Sequence, residues 1–166
     1  MCGFKMPSKY LLEHERVARY VPWSKLRISP DETEIYGPLA AAFKLREGEA
    51  SLSVTWCEYF EGSEDHSLRC AVEAVRNSRR VGSKARFAVV DVGKIVEFMK
   101  SNKKRLRVIH EPTADNPAHA AIRGWPADED ELLERIAGEV WSETWSKDQI
   151  DEIPLGECPL SDRASA

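Results

Sequence analysis

The chain has 166 residues, of which 42% are hydrophobic and 31% charged, and its net charge is −4. This length suits one ordinary domain, and the apolar content excludes an intrinsically disordered or collagen-like chain. No apolar run approaches the roughly 18 residues that a membrane span requires, and the N-terminus lacks the apolar stretch of a secretory signal. The four cysteines are scattered without a CxxC pair, which indicates free thiols and a cytoplasmic location.

The first third of the chain predicts few regular elements. Residues 8–28 fit either a short helix or a strand over 16–21, and both interpretations stay open. Residues 29–38 read as a polar turn region between Ser-Pro and Gly-Pro pairs, and residues 40–45 are compatible with a strand. The clearest strand is 51–56, where apolar and polar residues alternate.

The remainder has stronger periodicity. Ser63 is predicted to cap a helix over 64–79, whose apolar residues follow an i, i+3, i+4, i+7 pattern. The pattern then predicts a central strand (85–92), a short helix (93–100), two strands (105–110 and 118–123) around a loop (111–117), and a helix (128–141). Beyond 145 no period is sustained, so we divide the chain into a domain over 1–145 and a partly ordered acidic tail over 146–166.

This order of elements predicts an α+β fold with a single mixed β-sheet and helices packed mainly on one face. Several catalytic motifs are missing from the sequence: the Walker loop, GxGxxG, GxSxG and HExxH. P-loop NTPases, dinucleotide-binding domains, α/β-hydrolases and common zinc proteases therefore have no motif support. No cofactor is predicted.

Charge is strongly segregated along the chain. Residues 76–107 carry 11 Lys and Arg against two acidic residues, whereas residues 108–166 carry 4 basic and 14 acidic residues. The basic block can attract nucleic-acid phosphates, or the acidic C-terminal third can neutralise it within the fold. The candidate nucleic-acid-binding residues stand at the end of the 64–79 helix and before the strand at 105: Arg76, Arg79, Arg80, Lys103, Lys104 and Arg105.

Two histidines flank the 111–117 loop. If the two neighbouring strands pair as a hairpin, His110 and His119 lie opposite each other, with Cβ atoms roughly 5 Å apart. Together with Glu111 they supply the parts of a general acid/base pair or of an open metal site. The alternative is that each histidine only satisfies a backbone carbonyl at a strand end.

A zinc site is considered for Cys57, His66 and Cys70. His66 and Cys70 are four residues apart on the 64–79 helix, so they share a face. A structural zinc ion needs four donors, and the fourth is not evident, although Cys2 or Cys158 could supply it. No metal site is therefore predicted.

Three segments carry a resemblance: RYVPWSKLR (19–27), AFKLREGEASLSVTWCEYF (42–60) and HEPTADNPAHAAI (110–122). They cover about a quarter of the chain and resemble a small group of bacterial proteins without an assigned activity. The resemblance implies a bacterial, cytoplasmic protein and transfers no catalytic residue.

Two functional hypotheses follow. The first is a binding or accessory protein of a bacterial system, such as defence or toxin–antitoxin, that contacts a protein partner through its surface. The second is a small enzyme that acts on phosphodiester, nucleotide or peptide substrates through His110 and His119. Nucleic acid is a further possible partner through 76–107, and a membrane is not expected. Whether the protein is an enzyme, and its oligomeric state, stay open.

Overall fold

The computed structural model describes residues 9–160, which form eight β-strands and four α-helices. In chain order the strands are β1 (Arg16–Val21), β2 (Leu26–Ile28), β3 (Ile35–Pro38), β4 (Ser51–Trp56), β5 (Arg86–Asp91), β6 (Arg107–His110), β7 (His119–Arg123) and β8 (Thr144–Ser146). Six of them form one sheet in the order β6-β7-β4-β1-β5-β8, in which every pairing is antiparallel. Strands β2 and β3 form a separate antiparallel pair.

The α-helices of the described residues are α1 (Glu64–Ser78), α2 (Val92–Ser101), α3 (Asp130–Glu139) and α4 (Lys147–Glu152). Ser63 caps α1, because its side chain accepts a hydrogen bond from the backbone N–H of His66, as the sequence predicts. Within residues 9–160, no helix has the length and apolarity needed to cross a membrane.

The sheet separates two hydrophobic cores. Helices α2 and α3 pack on one face, with Ile95 and Ile136 fully buried. Helices α1 and α4 pack on the other, with Leu68 and Ile150 fully buried. The predicted α+β class with one main sheet is confirmed. In detail, the sheet is antiparallel throughout and the helices are divided between its two faces.

The ambiguous N-terminal segment is resolved as a strand. In β1, Val17 and Val21 enter the core under α2 and α3, while Ala18 enters the core under α1. This alternation is what a strand between two packed layers requires. Elsewhere, Ala40–Phe43 is a 3-10 turn rather than a strand, and the polar region near residue 30 connects β2 to β3.

Regular structure continues past residue 145. Strand β8 pairs with β5 at the sheet edge, and α4 follows directly. Ser146 and Gln149 form a reciprocal capping box at the start of α4. Arg69 of α1 donates from Nη1 to the carbonyl oxygens of Ile150 and Ile153, at 3.0 and 3.1 Å. These contacts dock α4 on α1, an arrangement that local periodicity does not indicate.

Candidate functional site

The sheet opens where β1 and β4 stop pairing. These strands pair only at Val17↔Trp56 and Ala18↔Thr55, whereas β1 pairs with β5 along its whole length. Beyond Ala18 the two strands therefore leave a gap, which we call the β1–β4 cleft. A cavity of about 160 Å³ occupies it on the α1 side.

Arg19 bridges this gap from the face of the sheet on which Val17 and Val21 lie, and it closes the cavity from that side. Its Nε donates to the Ala42 carbonyl at 2.7 Å, and its Nη1 donates to the Ser53 carbonyl of β4 at 2.6 Å. Both acceptors are neutral, and no carboxylate lies within 4 Å of the Arg19 guanidinium among the residues the structure describes. The guanidinium thus replaces ladder hydrogen bonds between the strands, and no carboxylate contacts its positive charge.

Two further cations, Arg79 and Lys25, lie near Arg19. Arg79, just past the end of α1, lies over the Tyr20 ring with its guanidinium carbon 4.3 Å from the ring centroid. Lys25 follows β1. In the described part of the chain neither Arg79 nor Lys25 forms a salt bridge. The nearby carboxylate is Glu49, whose Oε1 lies 3.8 Å from Arg46 Nε.

The charge imbalance is reflected in the pKa values. Burial, together with the positive charges of Arg79 and Arg46, lowers the pKa of Arg19 to about 10, while Glu49 acts in the opposite direction. Burial, and then the charges of Arg19, Arg46 and Arg79, lower the pKa of Lys25 below its usual value. An anion bound in the cleft would relieve this mutual repulsion.

Polar groups line the rest of the cavity, including Ser53, Thr55, Ser78, Asn116 and His119. The side chain of Asn116 is buried and donates from Nδ2 to the Thr55 hydroxyl at 3.0 Å. Thr55 is thereby used as an acceptor, which leaves its own O–H as a donor. The 111–117 loop is fixed against α1 as well, because Asn77 donates from Nδ2 to the Asp115 carbonyl at 2.9 Å.

The structure does not bring His110 and His119 together. In the β6–β7 pairing His110 is opposite Ala120, not His119, so the expectation that the histidines face each other is wrong. Because neighbouring residues of a strand point to opposite faces, this one-residue offset places the two rings on opposite sides of the sheet. His110 packs against Trp56 and Tyr59, with ring centroids 5.2 and 5.4 Å away.

Each histidine also fixes the loop. His110 donates from Nε2 to the Pro117 carbonyl, and His119 donates from Nδ1 to the Glu111 carbonyl, both at 2.7 Å. The Nε2 of His119 has no hydrogen-bond partner among residues 9–160, and the ring lines the β1–β4 cleft. The Glu111 carboxylate is paired with Arg123 at 2.9 Å.

The basic block is divided by the sheet. Arg76, Arg79 and Arg80 belong to the α1 side, whereas Lys103, Lys104 and Arg105 follow α2 on the other face. Two of these cations are neutralised within the fold: Arg76 pairs with Glu73 and Asp151, and Lys104 pairs with Glu129 at 2.8 Å. The acidic C-terminal third therefore contributes to neutralising the block, as one of the two alternatives predicts.

The cysteines depart from the expectation of free thiols. Cys70 and Cys158 form a disulfide, so that expectation is wrong for these two. Cys57 is buried and free, and burial raises its pKa to about 12, which makes it a poor nucleophile and metal ligand. In the described residues no group of three His, Cys, Asp or Glu side chains is placed to hold a metal ion. Cys2 lies outside those residues.

The sequence itself contains a signal for Arg19, which periodicity alone does not reveal. In RVARYV, Arg19 stands between Val17 and Val21 at the core-facing spacing of a strand. A charged residue at such a position needs a polar partner or a ligand. No family model, curated protein or solved structure matches this chain.

Proposed function

We propose that this protein is a binding module that takes a small phosphorylated molecule into the β1–β4 cleft. The observation that carries the proposal is that Arg19 and Arg79 line the cleft, with Lys25 close by, and that none of the three has a carboxylate partner among the residues described. A guanidinium presents its donors in a fork that matches phosphate oxygens. A dianionic phosphate fits this charge better than a single carboxylate does.

The size of the cavity limits what enters it. Ligand pockets that enclose a whole drug-sized molecule have volumes of about 300–1,000 Å³. At about 160 Å³, the cavity in the cleft accommodates a phosphate group and little more. The remainder of the ligand would lie at the mouth, where Tyr20 and Arg79 offer a stacked surface.

Small molecules are favoured over nucleic acid by the distribution of charge. A duplex or single strand needs a continuous basic surface to follow its backbone. The candidate residues Arg76, Arg79, Arg80, Lys103, Lys104 and Arg105 are split between two faces, and two are already paired with acids. The distribution of charge therefore supports a small phosphorylated ligand, and nucleic-acid binding through residues 76–107 is the competing hypothesis.

A second candidate function uses the same cleft. Because Nδ1 of His119 is held by a backbone carbonyl, its Nε2 is the nitrogen available to a ligand, which favours an enzyme that moves a proton at a bound phosphate ester. This alternative requires turnover as well as binding. The bacterial cytoplasmic setting and a protein partner stay predictions from the sequence.

The test compares two neighbouring arginines. Binding of inorganic phosphate, ribose 5-phosphate and AMP is measured by calorimetry and by the rise in melting temperature, since a ligand of the folded state stabilises it by RT ln(1 + [L]/Kd). Arg79→Ala should reduce affinity about 10-fold or more, whereas Arg80→Ala, which removes the same charge one residue away, should change it less than about 3-fold.

Two results would count against the proposal. One is the absence of binding by all three phosphates. The other is tight, steeply salt-dependent binding of oligonucleotides that Arg79→Ala and Arg80→Ala weaken equally. That result would favour nucleic-acid binding through residues 76–107. Release of p-nitrophenol from p-nitrophenyl phosphate, abolished by His119→Gln, would favour the enzyme.

A further inference from the structure

A disulfide and a histidine meet where the C-terminal segment crosses α1. Cys70 in α1 is fully buried, Cys158 is half-buried, and their Cα atoms are 5.3 Å apart although 88 residues separate them in sequence. The Nε2 of His66 lies 3.5 Å from the Cys70 sulfur. A basic group is therefore in contact with one of the two bonded sulfurs.

The position of His66 is closely fixed by the backbone. A Cβ atom at Gly62 would lie 2.7 Å from His66 Cδ2, and one at Gly156 would lie 2.8 Å from its Cε1. The ring is thus enclosed between these two glycines, one before α1 and one in the C-terminal segment. A side chain at either position would displace the ring from the sulfur.

The segment 154–160 depends on the disulfide for its attachment. Within residues 9–160, none of its residues forms a backbone hydrogen bond with another segment. Its other contacts with α1 are the close approach of Gly156 to the His66 ring and the packing of the Leu160 side chain on the core under α1. Breaking the S–S bond would leave this segment with weak local stability.

We propose that Cys70 and Cys158 form a thiol–disulfide exchange site that reacts with small thiols and holds segment 154–160 on α1 only when oxidised. The thiolate of a first small thiol attacks the Cys158 sulfur, and the bond to Cys70 breaks. Cys70 leaves with the bonding electron pair and receives a proton through His66. A second small thiol attacks the mixed disulfide, which releases the Cys158 thiol and the oxidised small disulfide. Two thiols supply the two electrons.

Exposure and leaving-group chemistry decide the direction of attack. The Cys158 sulfur belongs to a half-buried residue, while Cys70 is fully buried, so an incoming thiolate reaches Cys158 first. Exchange is faster when the departing sulfur is stabilised as a thiolate, and the His66 ring is placed to do this for Cys70.

The experiment treats the full-length protein with reduced glutathione, quenches samples with iodoacetamide and maps the modified peptides by mass spectrometry. We expect a transient glutathione adduct on Cys158, followed by alkylation of both Cys70 and Cys158. Cys57 is the internal control and should stay unmodified, because its alkylation requires the core to open. Proteolysis at residues 154–160 should increase once the disulfide is reduced.

His66→Gln should slow reduction about 10-fold while leaving Cys57 protected. An adduct that appears on Cys70 first, or alkylation of Cys57 in parallel with Cys70, would overturn the proposal. So would an unchanged rate in a folded His66→Gln protein. If His66→Gln exposes Cys57 and is therefore unfolded, the proposal is tested on the unsubstituted protein alone, by the position of the first glutathione adduct and by the proteolysis of residues 154–160.

Discussion

Arg19 of β1 donates a hydrogen bond to the backbone carbonyl of Ser53 in β4, at 2.6 Å, where the two strands no longer pair with each other. A side chain thus performs the task of a backbone ladder in the middle of a six-stranded sheet. Because the side chain is charged, the same contact that closes the gap also places a cation at the cleft. Structure and ligand recognition are therefore coupled through one residue.

This coupling leads to a prediction for Arg19→Met. Loss of the hydrogen bonds to Ala42 and Ser53 costs stability, but removal of a half-buried unpaired charge offsets that cost. We expect the unfolding free energy to change by less than about 1.5 kcal/mol in urea titrations, while phosphate affinity falls at least about 10-fold. Arg46→Met removes an equal charge from an exposed position and should weaken binding only about 2-fold. Equal losses in the two variants would mean that net charge alone controls binding.

A gain in affinity is expected from Glu49→Gln. Glu49 is the carboxylate that opposes the lowered pKa values of Arg19 and Lys25, so removing its charge increases the positive potential at the cleft. The amide oxygen of Gln can still accept the hydrogen bond from Arg46 N–H. Phosphate should bind about 2- to 5-fold more tightly, as a change of roughly 0.4–1 kcal/mol implies. Glu47→Gln, in the same turn, makes the same change in net charge and should increase phosphate affinity less than Glu49→Gln does. A larger increase for Glu47→Gln would contradict the role assigned to Glu49.

The sequence predicts features that depend on neighbouring residues better than features that depend on contacts between distant segments. The α1 helix and its Ser63 cap are local patterns, and both are confirmed. The cleft is a matter of which strands pair and where they stop, which no single segment encodes. The Cys70–Cys158 contact likewise spans 88 residues. Sequence patterns could therefore supply most elements but not the site that their assembly creates.

The contacts between α4 and α1 predict an acid-sensitive stability. Asp151 accepts a hydrogen bond from Lys147 at 2.8 Å and another from Arg76 at 2.9 Å, and these bonds lower its pKa below the ordinary 3.8. The unfolded chain then binds the proton more readily than the folded one. The stabilisation is complete above pH 3.8 and is lost as the pH falls through the folded-state pKa.

Urea titrations between pH 7 and pH 3 measure this effect. Asp151→Asn should lower stability at pH 7 and lose less on acidification than the unsubstituted protein does. Asp148→Asn lies on the same helix at an exposed position and should follow the unsubstituted protein throughout. If Asp148→Asn flattens the pH dependence as strongly, the ion pairs of Asp151 are not its source.

The two histidines should differ in what they affect. His119 lines the cleft, so His119→Gln should weaken phosphate binding several-fold. His110 lies on the opposite face between Trp56 and Tyr59, so His110→Gln should cost about 0.5–1.5 kcal/mol of stability without changing affinity. Calorimetry and urea unfolding of both variants measure the two effects separately. If His110→Gln loses as much affinity as His119→Gln, binding does not depend on the face of the sheet that the cleft occupies. That result would contradict the assignment of the phosphate site to the cleft.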